Sequence, residues 1–190
     1  MKKLITTAAF ILGALFTLSA NAADLGEPKP VKSSSVSWTA SKVTGSHSGI
    51  ITLGPSQLEM EGDRIVGGRI VVDMQTIIVT DLEGKSKSSL EGHLKSDDFF
   101  GVATHPTASL DITGSEFNDD GSQTVSGNIT IKGVTQPINF TMSFNGNYAT
   151  TALTIDRTKF GIRYGSGSFI ENLGDKAIND NFEIRAKLEL

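Results

Sequence analysis

The chain has 190 residues, a formal net charge of −4 and no cysteine. Its 21 acidic residues outnumber its 17 basic residues, so it has no broad electrostatic attraction for nucleic acid, and we expect no nucleic-acid partner. Without cysteine it cannot form disulfides, and the fold must be held by burial of a hydrophobic core.

The N-terminal segment has the pattern of a secretory signal peptide. Lys2 and Lys3 precede an uncharged apolar stretch, and Ala20 and Ala22 occupy the −3 and −1 positions of a cleavage site. The alternative is a transmembrane anchor, but the apolar stretch of about 15 residues is shorter than the roughly 20 that a spanning helix needs. We therefore predict that residues 1–22 are removed, that the protein is periplasmic or secreted, and that the mature chain has no stable membrane insertion.

The mature chain is expected to form a single domain. Cleavage would leave 168 residues (190 − 22), with 15 basic against 21 acidic side chains and a net charge of −6. Pro28 and Pro30 lie among charged and small residues, which predicts a flexible tether over 23–33. The remaining residues, 34–190, suit one domain with a sizeable core.

Alternating apolar and polar residues predict strands along most of this domain. Val36, Trp38 and Ala40 alternate with polar neighbours near its start. The strictest alternation lies at 138–144 and 182–190. Further strand signals, separated by Gly, Pro, Asn and Asp turn residues, lie at 51–60, 64–74, 107–112, 124–132 and 148–156.

One segment departs from this pattern. Leu90 and Leu94 are four residues apart in a stretch with few β-branched residues, which predicts a helix over Ser86–Ser96. About eight strands with one inserted helix predict an all-β antiparallel domain, either a sandwich or an up-and-down barrel. The interior of an eight-stranded barrel can be filled by side chains or can hold one small ligand. The apolar inner faces mean that such a ligand would be apolar.

No catalytic or metal-binding motif is evident in the sequence. The segment 45–49 has His47 at its centre, where a nucleophile elbow requires Ser. His47, His93 and His105 lack the close spacing of a zinc site. We expect no enzyme activity, no cofactor and no metal. A histidine-based, metal-dependent enzyme is the weakest alternative that we keep.

Four segments occur together in one order along 36–190. The stretch 93–100, with Pro106 and Thr107 after it, has the form H-L-[KR]-S-x-D-F-F…P-x. The stretch 125–137 is similar to V-x-G-x-L-T-I-x-G-V-T-x-P, with Ile129 in the place of Leu. The stretch 156–162 contains R-x-x-F-G-I, and an alternating strand ends the chain. These segments, with Trp38 near the start, resemble the YceI-like family of bacterial polyisoprenoid- or lipid-binding proteins.

The resemblance implies a lipocalin-like extended β-barrel with a long internal tunnel. It also implies an apolar small-molecule partner, such as an isoprenoid quinone or a fatty-acyl lipid, and a periplasmic or secreted location. Many relatives have an Arg–Asp pair before the His–Leu element, where this chain has Leu90 and Glu91. The polar contacts at the tunnel mouth, and with them the ligand's head group, are therefore left open.

The candidate site residues combine the strand pattern with this resemblance. We predict His47, Glu91 and His93 at the head-group end of the tunnel, with the helix as a lid. The main alternative is a filled barrel that acts as a protein-interaction or stress-response module without a ligand, and the sequence leaves a homodimer open. The predicted tunnel-lining residues are Trp38, Leu90, Leu94, Phe99, Phe140, Met142, Phe144, Phe160 and Phe182.

Overall fold

The computed structural model describes residues 26–190, so the predicted signal peptide lies outside the described residues. The described part of the chain forms ten strands and one α-helix, with short 3-10 turns at Arg157–Phe160 and Gly174–Lys176. The elements are β1 (Glu27–Pro30), β2 (Ser33–Lys42), β3 (Gly45–Leu53), β4 (Gln57–Glu61), β5 (Arg64–Val79), α1 (Gly84–Lys95), β6 (Thr107–Phe117), β7 (Gln123–Ile131), β8 (Val134–Asn145), β9 (Tyr148–Asp156) and β10 (Ile178–Glu189).

Eight of these strands close into an antiparallel barrel. They follow the order β5-β3-β2-β10-β9-β8-β7-β6, and β6 pairs back onto β5. The last strand of the chain therefore lies beside the first barrel strand, with Ile184 opposite Trp38 and Ala186 opposite Val36. Closure gives every barrel strand two backbone partners and leaves no free edge in the ring. The predicted all-β antiparallel barrel with one helix is confirmed.

The prediction of a free tether over 23–33 is wrong for the part that the structure describes. Strand β1 pairs with β4, and its register (Glu27 opposite Met60) continues the register of β2 with β3 without a shift. The β2–β3 pair and the β1–β4 pair thus form one long hairpin that extends beyond the barrel. Pro28 and Pro30 are tolerated because β1 is the edge strand of this extension, where a missing N–H costs little.

Helix α1 begins two residues before the predicted start and ends one residue before the predicted end. It packs against β5 and buries Leu94, while Leu90 is half-buried. After the helix, exposed Asp97 and Asp98 form a turn that directs Phe99 inward. Within residues 26–190, no helix combines the length and the hydropathy that crossing a membrane requires.

Two clusters of buried side chains lie towards opposite ends of β5. The helix-end cluster includes Leu94 and Phe99, and the far-end cluster includes Leu58 and Ile65.

The far end also contains a buried glutamine, Gln123. Its Oε1 accepts hydrogen bonds from the backbone N–H of Ile65 (3.0 Å) and from Ser115 Oγ (2.6 Å). Its Nε2 donates to the carbonyl oxygen of Asp63 (2.7 Å), so one side chain joins β7 to β5 and β6.

We predict that Gln123→Met lowers the free energy of unfolding by about 2–3 kcal/mol, because it leaves the buried N–H of Ile65 without an acceptor. The matched control is Gln57→Met, at an exposed position of β4, where we expect a change within about 0.5 kcal/mol. Urea unfolding followed by the fluorescence of Trp38, the one tryptophan of the chain, measures both. Equal stability of the two variants would contradict this account of Gln123.

Candidate functional site

The barrel encloses an apolar cavity with a volume of about 170 Å³. All eight barrel strands contribute to its wall, together with Leu94 of α1 and the residues that follow the helix. On β10 the alternate residues from Phe182 to Leu188 line the cavity and span roughly 20 Å of strand, and Ile178 and Asn179 line it before them. Because the volume is spread along this length, the cavity is narrow. It suits a slim hydrocarbon chain better than a bulky ring system.

The side chains that face the cavity show that it is hollow. Strand alternation directs Ile51, Val72, Leu153 and Ile184 inward, and all four line the cavity. Each is nevertheless only half-buried. Inward-facing side chains of a filled barrel would be fully buried, because neighbouring atoms would cover them. The remaining exposure of these residues therefore faces the empty interior.

Six of the nine predicted tunnel residues line this cavity, and three do not. Phe144 lies on β8 two residues beyond Met142 and packs with the far-end cluster. Phe160 lies in the turn after β9 and is buried within the helix-end cluster, and Leu90 packs against that cluster from one helical turn before Leu94. That the lining residues contact a ligand stays a prediction. The six are Trp38, Leu94, Phe99, Phe140, Met142 and Phe182.

The sequence prediction missed much of the aliphatic wall. Ile129 and Ile131 on β7, and Leu153 and Ile155 on β9, line the cavity as fully as the aromatic residues do. The alternation that predicted these strands also predicts that these aliphatic residues face inward, because residues two apart on a strand face the same side. The predicted lining residues were mainly aromatic and did not include them.

The predicted mouth residues do not line the cavity, and each contacts a different partner. His47 Nδ1 lies 2.9 Å from Asp81 Oδ2. Glu91 Oε1 accepts a hydrogen bond from the backbone N–H of Val79 (2.9 Å), which ties α1 to the end of β5. The ring of His93 packs edge-on between Phe99 and Tyr164, with ring centroids 5.4 and 4.4 Å away. Among residues 26–190, no three His, Cys, Asp or Glu side chains are placed to hold a metal ion together.

The carboxylate of Asp81, which lies in the segment between β5 and α1, is held in its ionised form. Burial opposes ionisation, but hydrogen bonds from His47 and from the backbone N–H of Ser48 outweigh it and hold the pKa of Asp81 below its ordinary value. Asp81 therefore joins β3 to the segment that leads into α1. His47 serves this junction and is not among the residues that line the cavity.

A buried arginine, which the sequence analysis did not single out, lies at the helix end of the cavity. Arg157 is 2% exposed, and its guanidinium lies 5.6 Å from the centre of the Phe99 ring. Its donors are directed at five acceptors: Nε at Asn179 O (3.1 Å), Nη1 at Ile162 O and Tyr164 O (both 2.9 Å), and Nη2 at Ile178 O (3.0 Å) and Asp180 Oδ1 (3.5 Å).

All five N–H groups of the guanidinium are thus used within the protein. Burial lowers the pKa of Arg157 below its ordinary value, while the charges of Asp180 and Asp156 act in the opposite direction. The side chain fastens the loop that follows Phe160 to the start of β10. It closes this end of the barrel, and it has no donor left for a ligand.

We predict that Arg157→Lys lowers the free energy of unfolding by about 2–4 kcal/mol, although it keeps the charge. An ammonium group cannot reach all five acceptors and leaves buried carbonyl groups unpaired. Arg185→Lys, at an exposed position of β10, is the matched control. Urea unfolding should separate the two variants, and a lysine variant at 157 as stable as the one at 185 would refute the role given to Arg157.

Comparison with known proteins agrees with this geometry. The profile of the YceI-like domain family matches residues 28–190. A curated relative, a UPF0312 protein of Azotobacter vinelandii, is 37% identical over 54 residues, and this match covers 28% of either chain.

Three solved structures share the fold at low sequence identity. BcnA of Burkholderia cenocepacia has a TM-score of 0.64 at 19% identity and covers 82% of this chain and 94% of its own. A polyisoprenoid binding domain from Saccharophagus degradans has a TM-score of 0.58 at 14% identity, covering 83% and 93%. The YCEI protein of Campylobacter jejuni has a TM-score of 0.52 at 14% identity, covering 100% and 98%.

Proposed function

This chain belongs to the YceI-like family, and we propose that it is a lipid-binding protein that holds one slim apolar chain inside its barrel. The isoprenoid and fatty-acyl lipids are the ligand classes that fit this shape. The observation that carries the proposal is the narrow cavity, whose wall consists almost entirely of hydrocarbon side chains. The proposed role is binding, without a chemical reaction on the ligand.

Hydrophobic burial is sufficient to give useful affinity in such a cavity. Each CH₂ group removed from water contributes about 0.8 kcal/mol. About ten such groups contribute roughly 8 kcal/mol, which corresponds to a Kd in the micromolar range before ordering costs are subtracted. The apolar tail can therefore supply most of the binding free energy, and polar contacts are left to select the head group.

The helix end of the barrel is the proposed route for the ligand. Leu94, Phe99 and Phe100 contribute the wall there, and they belong to α1 and the loop after it. The eight barrel strands are joined to one another by continuous backbone pairing. Opening between strands would break several hydrogen bonds, whereas displacement of the helix would break few. We therefore keep α1 as the lid.

Two further observations support the proposal. A protein with the same fold is described as a polyisoprenoid binding domain, and extension of that ligand class to this chain is part of the proposal. The signal-peptide pattern of residues 1–22 supports a periplasmic or secreted location, where a lipid would need a carrier through water. The alternative of a filled barrel disagrees with the half-buried inward side chains.

We predict that Phe140→Trp reduces the lipid retained by the purified protein, because Phe140 lines the cavity and a larger ring would fill part of its 170 Å³. Phe144→Trp is the matched control. It makes the same change on the same strand, outside the cavity wall, and should retain lipid like the wild type. Organic extraction followed by mass spectrometry measures the lipid per protein. Equal retention in both variants would contradict the proposal.

A further inference from the structure

Several large apolar side chains are exposed at the helix end of the barrel. Tyr164, Phe169 and Ile170 lie in the loop before β10, and Val43 lies in the turn between β2 and β3. Each of them exposes between 43% and 65% of its surface. Exposed apolar groups that lie together mark places where a protein meets another surface. We call these four residues the helix-end patch.

Backbone hydrogen bonds bring the two segments of the patch together. The N–H of Val43 donates to the carbonyl oxygen of Ala177 (3.1 Å). The N–H of the next residue, Ile178, donates to the carbonyl oxygen of Gly165 (2.8 Å). The turn that contains Val43 and the loop that contains Tyr164 therefore contact the same short stretch of backbone.

Tight turns hold the other two residues of the patch beside this stretch. The N–H groups of Phe169 and Ile170 both donate to the carbonyl oxygen of Ser166 (3.2 and 2.9 Å). Ser166 is fully buried, whereas the two apolar side chains that follow it are exposed. The guanidinium of Arg163 lies 4.4 Å from the centre of the Phe169 ring. A buried residue thus anchors a turn whose apolar side chains face solvent.

The helix-end patch adjoins the end of the cavity. Ile178, which bonds to Gly165 of the loop, also lines the cavity. The ring of Tyr164 packs against His93 of α1, with ring centroids 4.4 Å apart. His93 in turn packs against Phe99, which lines the cavity, at 5.4 Å. The patch therefore lies beside the lid through which the ligand is proposed to pass.

The size and charge of the patch fit a lipid bilayer better than a protein partner. Its four partly exposed side chains present on the order of 400 Å², about half of the roughly 800 Å² that each partner of a stable protein complex buries. Apolar side chains on a loop gain free energy by entering hydrocarbon and need no matching surface there. In the loop segment 163–176, Arg163 and Lys176 balance Glu171 and Asp175, so this segment has no net charge that would oppose a zwitterionic bilayer.

We propose that the helix-end patch inserts into the surface of a lipid bilayer and holds the lid end of the barrel against it, so that a lipid passes between bilayer and cavity without crossing water. This inference rests on the proposed lipid-binding function and adds the surface from which the lipid is taken. Because segment 163–176 has no net charge, attachment depends on apolar insertion and changes little with salt. Insertion of a few side chains keeps the attachment reversible, as a carrier requires.

Co-sedimentation of the purified protein with sucrose-loaded vesicles of phosphatidylcholine and phosphatidylethanolamine tests the patch. We expect Phe169→Ser combined with Ile170→Ser to lower the partition coefficient by about tenfold, because two apolar side chains no longer enter the hydrocarbon. The matched control is Phe117→Ser, because Phe117 is 57% exposed and lies opposite Gln123 at the far end of the barrel. This control should change partitioning by less than about twofold. Circular dichroism checks the fold of each variant.

A dye at single positions identifies the side chains that enter the bilayer. Because the chain has no cysteine, nitrobenzoxadiazole attaches only to the cysteine introduced by Val43→Cys, Phe169→Cys or Phe117→Cys. Vesicles should shift the emission of the dye at positions 43 and 169 to shorter wavelength and leave that at 117 unchanged. Val43 lies in an exposed turn, so its labelled variant decides the question if the substitutions in the loop prevent folding.

The outcomes separate this proposal from the lipid-binding function. If the protein retains lipid on extraction but the patch variants partition like the wild type, bilayer docking is refuted and lipid binding stands. If partitioning requires the patch but extraction yields no lipid, docking is supported and lipid binding is refuted. Partitioning that requires anionic lipid and disappears at high salt would refute apolar insertion. A dimer that the double substitution dissociates, seen by sedimentation velocity, would show that a second copy covers the patch and would overturn the proposal.

Discussion

Backbone pairing between the first and last barrel strands is the interaction on which the rest of the structure depends. Once β10 lies beside β2 and β6 beside β5, the backbone polar groups of the ring are satisfied within the wall. The interior then needs no polar groups, and its side chains can be purely apolar. Because backbone hydrogen bonds between the strands stabilise the wall, the interior does not have to be filled with side chains. A narrow space lined by hydrocarbon side chains remains along its length.

Buried polar side chains act at the two ends of this barrel. Gln123 joins three strands at the far end, and Arg157 fastens the last long loop to β10 at the helix end. Each is paired with the protein itself, so neither brings an unsatisfied polar group into the cavity. The segment 156–162, one of the four that carried the family resemblance, thus has a structural role that is visible in its contacts. Trp38 differs, since its indole Nε1 has no hydrogen-bond partner among residues 26–190.

The sequence predicted the strands, the helix and the export pattern because these depend on local periodicity and spacing. It left the choice between barrel and sandwich to the family resemblance, because both give the same alternation. It misjudged β1, because Pro28 and Pro30 indicate a linker unless the strand is known to lie at an edge. His47, Glu91 and His93 were predicted from residue type. Their partners, Asp81, Val79 and Tyr164, are set by packing that no local pattern contains.

The central claim is that the barrel holds one apolar molecule. Native mass spectrometry of the wild-type protein, purified from cells without detergent, tests it most directly. We expect a species heavier than the polypeptide alone by the mass of one lipid, which disappears when the same sample is denatured. Identical masses under native and denaturing conditions, in protein that retains its fold, would contradict the account.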